Sequence, residues 1–271
     1  MLVIIILVVL IVFYLLSIKP NTSRKQALKA YEQVYICHRG FYDNDKVPEN
    51  SLVAFKKAVE NNYGIELDVQ LTLDDKLVVF HDVSLKRMTG IDKKLCECTY
   101  EELLNYQLLN TNEKIPLFSE VLKILNKNTP LIIEVKPEGR CIEATKETIK
   151  IIRNYDGLYN MESFNPKVVY YLKKNEPDII RGQLAYNYFS DSKISFILKL
   201  SLTNLLFNFL TKPDYIAYEH HASSNLSFRI CSKLYKAECV AWTIKSQDEL
   251  NNAKNYYQQF IFDSFIPDKN K

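Results

Sequence analysis

Little in this chain is lopsided, and each missing extreme removes a class of function. The net charge is only +3 over 271 residues, too mild a surplus for a dedicated nucleic-acid protein. No internal repeat or low-complexity tract appears after the first residues, so the chain reads as one large domain with a substantial core. Six cysteines are present, but Cys96-x-Cys98 is too tight for an ordinary disulfide framework and Cys37 abuts the candidate site, where a bridge would be awkward. Cys96 and Cys98 do not make a zinc site on their own either. Glycine is scarce, at six residues, and no function is read from that. Histidine is scarcer still, with four in the whole chain. Two of them fall in the short stretch between Cys37 and Asp82.

The one long apolar run is residues 2–17, unbroken until Ser17. With Ile18 it is about the shortest run that spans a bilayer. It lacks a charged leading region and a small-residue cleavage site, which argues against a removed signal. A retained single-pass transmembrane anchor over residues 1–18 is the expectation, followed by a polar linker over 19–33. Lys19, Arg24, Lys25 and Lys29 follow the run and no basic side chain precedes it. The positive-inside rule then faces the domain to the cytoplasm, with the outward orientation left open.

From residue 34 onward, β-prone runs alternate with amphipathic helical ones. The strand-like runs are 34–37, 65–71, 77–80, 131–135, 158–163, 179–184, 215–218, 238–243 and 260–262. Ser51 and Ser246 stand where helix N-caps belong. Such alternation predicts an α/β barrel or a doubly wound sheet. The gap between the second and third runs is too short for a crossover helix, so they form an antiparallel hairpin turning at Asp74-Asp75, with His81 opposite Asp68. Setting the hairpin partner aside leaves eight strands, the number a TIM barrel needs. The polar, poorly periodic segment 83–118 reads as an insertion after the hairpin, within a barrel domain of residues 34–271.

Glu66 and Asp68 alternate on a strand and project from one face. Two carboxylates there repel unless a cation or proton intervenes. A hard divalent ion, Mg²⁺ or Ca²⁺, suits them. Glu134 ends another buried strand and is the third candidate ligand. Lys136 shares its face and can neutralise a phosphate oxygen, with a plain buried Glu134–Lys136 ion pair as the alternative. His38 and Arg39 end the first strand. Histidine suits proton transfer near neutral pH, and the arginine fork matches phosphate oxygens. With His81, this constellation points to phosphodiester chemistry.

The segments His38-Arg39-Gly40, Pro48-Glu49-Asn50-Ser51, Glu66-x-Asp68, Val78-Val79-Phe80-His81-Asp82 and Ile133-Glu134-Val135-Lys136 resemble those of the glycerophosphodiester phosphodiesterase family. Ser163-Phe164 and Ala241-Trp242-Thr243 continue the likeness, which covers roughly residues 34–268. The resemblance implies one divalent cation on Glu66, Asp68 and Glu134. It implies His38 as base and His81 as proton donor, with Arg39 and Lys136 on the phosphate. In such enzymes a substrate hydroxyl attacks first, giving a cyclic phosphate that water opens. Glu49 would fix Arg39 or a loop by hydrogen bonds. Phe164 and Trp242 would line the pocket, with core packing nearly as good a reading for both. The family's closing strand usually carries Ile-Thr-Asp-Arg/Lys-Pro. This chain has Ile261-Phe262-Asp263-Ser264-Phe265 instead, keeping Asp263 and losing the basic residue and proline.

Residues 186–211 are rich in aromatic and aliphatic side chains. An ordinary core helix with loops is favoured there over a membrane-facing lid for lipid-like substrates. His220 and His221 follow a strand and are expected near the rim, more often away from substrate than on it. The leading expectation is a membrane-anchored, metal-dependent glycerophosphodiesterase acting on a small-molecule substrate. A lysophospholipase D-type activity on lysolipids is the enzymatic alternative, and a non-catalytic barrel binding phospholipid headgroups is the third. No nucleic-acid partner is expected, and the oligomeric state is not legible.

Overall fold

The computed structural model describes residues 1–32 and 34–268. Its strands are β1 (Ile36–Cys37), β2 (Gly64–Leu71), β3 (Leu77–Val79), β4 (Leu131–Val135), β5 (Tyr159–Ser163), β6 (Arg181–Ala185), β7 (Tyr215–Glu219), β8 (Glu238–Ile244) and β9 (Gln259–Phe262). Each falls on one of the nine runs read from the sequence. Eight are parallel neighbours in the order β1-β9-β8-β7-β6-β5-β4-β2, and β1 also pairs with β2, which closes a TIM-like barrel. The ninth, β3, lies antiparallel beside β2.

Helices join successive strands because their apolar stripes cover the barrel's outer face. Leu52–Glu60 buries Ala54, Phe55 and Ala58, and Ser51 caps its first turn by accepting from the Ala54 amide. Ser246 caps the helix Gln247–Ala253 in the same way through the Glu249 amide. Alternation along the strands divides the core in two. Cys37, Ile133, Ile216 and Cys239 face outward into the layer beneath the helices. Ile36, Ile132, Tyr215 and Ile261 belong to a second cluster inside the barrel.

The hairpin differs from expectation by one residue. Val69 pairs with Val79, and Leu71 with Leu77. Asp68 therefore meets Phe80, whose amide donates to the Asp68 carbonyl at 2.9 Å, and His81 lies one position beyond. The cause is the turn. Thr72 closes on Lys76, and Asp75 takes a left-handed φ of 60°. The result is a three-residue loop rather than a two-residue one.

The N-terminal expectations need correction. The first helix is Leu2–Ile18, 17 residues, and no helix among the described residues is long and apolar enough to cross a membrane. Its last turn is buried against the barrel. Asn208 donates to the Ile18 carbonyl at 2.8 Å, Tyr235 donates to that of Leu15 at 2.9 Å, and Ser17 and Ile18 are both buried. Only Leu2 to Phe13 form a continuous exposed stretch. At 1.5 Å per residue that is roughly 18 Å, against about 30 Å of hydrocarbon. The single-pass anchor falls, and the cytoplasmic-facing assignment that rested on it falls too. The polar linker expected over 19–33 also contains a helix, Lys25–Glu32. Its Leu28 and Tyr31 are fully buried in the cluster inside the barrel, so a short amphipathic helix floors the barrel where a spacer was expected.

Residues 83–117 wrap over β3 with a small core of their own, in which Val78 and Phe80 meet Leu85, Met88, Leu95 and Leu103. In the 186–211 region the helix Phe196–Thr203 is not the ordinary core helix favoured from sequence. Phe196 and Ile197 are exposed, while Leu198 and Leu202 line a cavity.

Candidate active site

The C-terminal ends of the strands gather the polar residues. Asp68, Glu134 and Glu162 are register neighbours across β2, β4 and β5. Glu66, Asp68 and Glu134 are each buried, and one oxygen from each lies within 4.8 Å of the others. Lys136 reaches Glu134 at 2.8 Å and Asp68 at 3.3 Å. Burial raises the Glu66 carboxyl well above its ordinary value, and the charges of Asp68 and Glu134 add to that. Burial also raises Glu134, with Lys136 opposing. Asp68 goes the other way: against burial, Lys136, His81 and Arg39 hold it far below the usual carboxylate range. Burial alone would lower the Lys136 ammonium, but Glu134 and Asp68 outweigh it and raise its pKa. Three dry carboxylates facing one another with a single lysine form an all-oxygen donor set that fits a hard divalent ion.

The turn after β1 brings Arg39 in by an unusual backbone. Arg39, Gly40 and Asn50 all have left-handed φ, at 55°, 83° and 54°. That lets the Arg39 amide donate to Glu66 Oε2 at 3.0 Å while the guanidinium donates to Glu49 at 2.7 Å. A Cβ on Gly40 would stand 2.9 Å from Ala54 Cβ, so the turn and its close approach both require glycine. Asn50 donates its side-chain amide to Asp68 at 2.9 Å.

Both histidines are held through Nδ1. His38 Nδ1 sits 2.8 Å from Asp263 Oδ2, and His81 Nδ1 sits 2.7 Å from Asp82 Oδ1. In each ring it is Nδ1 that meets the aspartate, which leaves Nε2 turned away from it. Burial lowers the His38 pKa, Arg39 adds to that, and Asp263 pulls it back up. Burial alone would raise the Asp263 carboxyl, but the hydrogen bonds from His38 and Ser264 hold it down at about 2.

Several of these partners have no role in the sequence reading. Arg87 forks onto Glu49 at 2.6 and 2.9 Å and onto Asp82 at 2.6 Å, joining the Arg39 and His81 ends of the site. Gln70 donates to the carbonyls of Phe80, His81 and Asp82 at 2.8–3.1 Å, which pins the His81 turn. Glu162 is buried and accepts from Tyr215 at 2.8 Å, and burial pushes its pKa up to about 8. The signals available in sequence were a carboxylate next to His81 and a glutamate in a buried strand. Arg87 carried no signal, because its role depends on the fold of residues 83–117.

Phe164 packs edge-on against Trp242 and Tyr186, at 5.3 and 5.7 Å between ring centres. A cavity of about 790 Å³ opens beside His81 and Lys136. Phe164, Tyr186, Leu198 and Leu202 are among its walls, and Trp242 stands behind Phe164. His220 and His221 lie at the end of β7, outside that cavity.

The sequence model of the glycerophosphoryl diester phosphodiesterase family matches residues 38–268. Glycerophosphodiester phosphodiesterase 1 of Bos taurus is 29% identical over 94% of this chain and 84% of its own. A human protein named lysophospholipase D is 28% identical over 73% of this chain and 64% of its own. Among solved structures, a phosphodiesterase of Oleispira antarctica in complex with the product sn-glycerol-3-phosphate superposes with a TM-score of 0.70, at 22% identity, over 88% of this chain and 95% of that one.

Proposed function

Because the chain belongs to the glycerophosphoryl diester phosphodiesterase family, we propose that its barrel rim hydrolyses glycerophosphodiesters by two-histidine acid/base catalysis. The enzyme is a glycerophosphodiester phosphodiesterase, and its products are sn-glycerol 3-phosphate and an alcohol. His38 Nε2 takes the proton from the attacking hydroxyl, the phosphorus–oxygen bond to the leaving alcohol breaks, and His81 Nε2 returns a proton to that alcohol. If the attacking group is the substrate's own hydroxyl, water then opens the cyclic phosphate with the two histidines in exchanged roles. Arg39 and Lys136 hold the phosphate oxygens, and Glu49 holds Arg39. Glu66, Asp68 and Glu134 would bind one divalent cation, Mg²⁺ or Ca²⁺, which when bound supplies positive charge against the phosphoryl oxygens. Phe164, backed by Trp242, forms the apolar wall for the glycerol moiety. The catalytic unit runs from residue 34, with 83–118 as its insertion, and carries the helix Lys25–Glu32 with it.

The observation that carries this reading is the pairing of each histidine with its own aspartate, His38 with Asp263 and His81 with Asp82, beside the buried acidic cluster. The test is release of glycerol 3-phosphate from glycerophosphocholine with Mg²⁺ or Ca²⁺, with EDTA, and in His38→Ala. Metal-dependent release that His38→Ala reduces at least about 100-fold is expected. Near wild-type activity in the variant would end the assignment.

A second substrate class has an observation in its favour. The apolar cavity beside His81 and Lys136 has the volume of a drug-sized ligand site and suits the acyl chain of a lysolipid. Turnover that rises with acyl-chain length, measured in detergent, would select it. A flat dependence would leave the short glycerophosphodiesters.

A further inference from the structure

At the far side of the rim, His220 and His221 follow β7, and Glu249 sits in the first turn of the helix Gln247–Ala253 after β8. His220 Nε2 is 3.5 Å from Glu249 Oε2, and His221 Nε2 is 3.8 Å from Glu249 Oε1. One ligand atom from each of the three lies within 4.8 Å of the others. The His220 side chain is only 8% exposed, yet its Nε2 has no hydrogen-bond partner. Glu249 Oε2, the oxygen that faces this nitrogen, accepts from the Lys245 amide at 2.6 Å, which holds the carboxylate in place. A buried ring nitrogen without a partner, facing a carboxylate oxygen and a second imidazole, is an arrangement a cation resolves.

We propose that His220, His221 and Glu249 form a second metal site, for a borderline transition ion of the zinc class. Two ligands on one tetrahedral ion at about 2.0–2.1 Å stand about 3.3 Å apart. The separations of 3.5 and 3.8 Å therefore need only small side-chain movements. The donor chemistry separates this site from the acidic cluster. Two imidazoles and one carboxylate favour Zn²⁺ and its neighbours, whereas three carboxylates favour Mg²⁺ or Ca²⁺. An ion here would tie the end of β7 to the helix that follows β8. It would thereby brace the segment carrying Trp242 and Thr243 from outside the catalytic pocket.

The experiment is zinc binding to the full chain by equilibrium dialysis in millimolar Mg²⁺, with zinc-edge X-ray absorption to count imidazole ligands. Wild type, His221→Ala and Glu66→Gln are compared. His221 is 68% exposed, so its truncation leaves the fold intact. The expected result is one zinc with two imidazoles in wild type, unchanged in Glu66→Gln and weakened in His221→Ala. Losing even an outer-shell partner costs 10- to 100-fold, so loss of a ligand should weaken binding by about 100-fold or more. Equal zinc affinity in wild type and His221→Ala would overturn the proposal. So would zinc that disappears in Glu66→Gln alone.

Discussion

Asp263→Asn should slow turnover by about 10- to 150-fold while leaving the fold and the His38 ring orientation in place. Asp263 Oδ2 accepts from both His38 Nδ1, at 2.8 Å, and Tyr42, at 3.1 Å, while Oδ1 accepts from Ser264 at 2.8 Å. An asparagine keeps its single acceptor oxygen where two donors converge. Its amide then faces Ser264, whose hydroxyl can turn round and accept. The tautomer of His38 is preserved and only the negative charge is lost. A hydrogen bond to a charged group is worth about 1.5–3 kcal/mol, which sets the range given. Loss of the carboxylate also removes an influence that raises the His38 pKa. The acid limb of the kcat/KM profile should therefore move to lower pH. The assay is glycerol 3-phosphate release across pH, with Asp263→Ala beside it. The alanine variant frees the ring altogether and should be slower than the asparagine variant. Activity within threefold of wild type, or an acid limb that stays or moves upward, would refute the reasoning.

Three further outcomes are expected. Glu49 is buried between Arg39 and Arg87; burial alone would raise its carboxyl, but the Arg87 hydrogen bond and Arg39 hold it at about 2, below the ordinary 4.5. A depressed carboxylate stabilises the fold above its unfolded pKa and loses that contribution as pH falls through its folded one. Glu49→Gln should then cost about 3 kcal/mol at pH 7, a deficit that shrinks between pH 4.5 and 2 in urea titrations; a constant deficit across that window would count against the pairing. Gln70→Ala removes three bonds to the His81 turn and should lower kcat about 10-fold with little change in KM, since His81 is positioned and not replaced; an effect on KM alone would contradict this. Gly40→Ala meets Ala54 at 2.9 Å and a φ of 83°, so it should lose about 1–3 kcal/mol and show a lower thermal midpoint than wild type.

The barrel and its buried acidic cluster were largely readable because strands and buried charges leave local marks. Glu66, Asp68, Glu134 and Lys136 announce themselves by interrupting apolar runs, and the strand spacing forces β3 to be a hairpin partner. What depends on distant contacts was hidden. Arg87 looks like any surface arginine until residues 83–117 fold over β3 and carry it to Glu49 and Asp82. The hairpin register turned on whether Asp75 would adopt a left-handed φ, a choice open to aspartate but not dictated by it. The helix Lys25–Glu32 was missed because its stripe is only Leu28 and Tyr31, too short for a periodic signal. The N-terminal run misled because hydropathy takes no account of Ser17 and Ile18 docking against the barrel.

The closure of β1 against β9 has a temporal meaning. A chain made from its N-terminus holds His38 from the beginning, but its carboxylate partner sits at Asp263, just past the last strand. Until Gln259–Phe262 emerges from the ribosome and fills the gap between β8 and β1, the sheet has two open edges and His38 has no fixed tautomer. His38 therefore gains its carboxylate partner in the same event that seals the cylinder. The His38–Asp263 hydrogen bond is thereby a marker of ring closure.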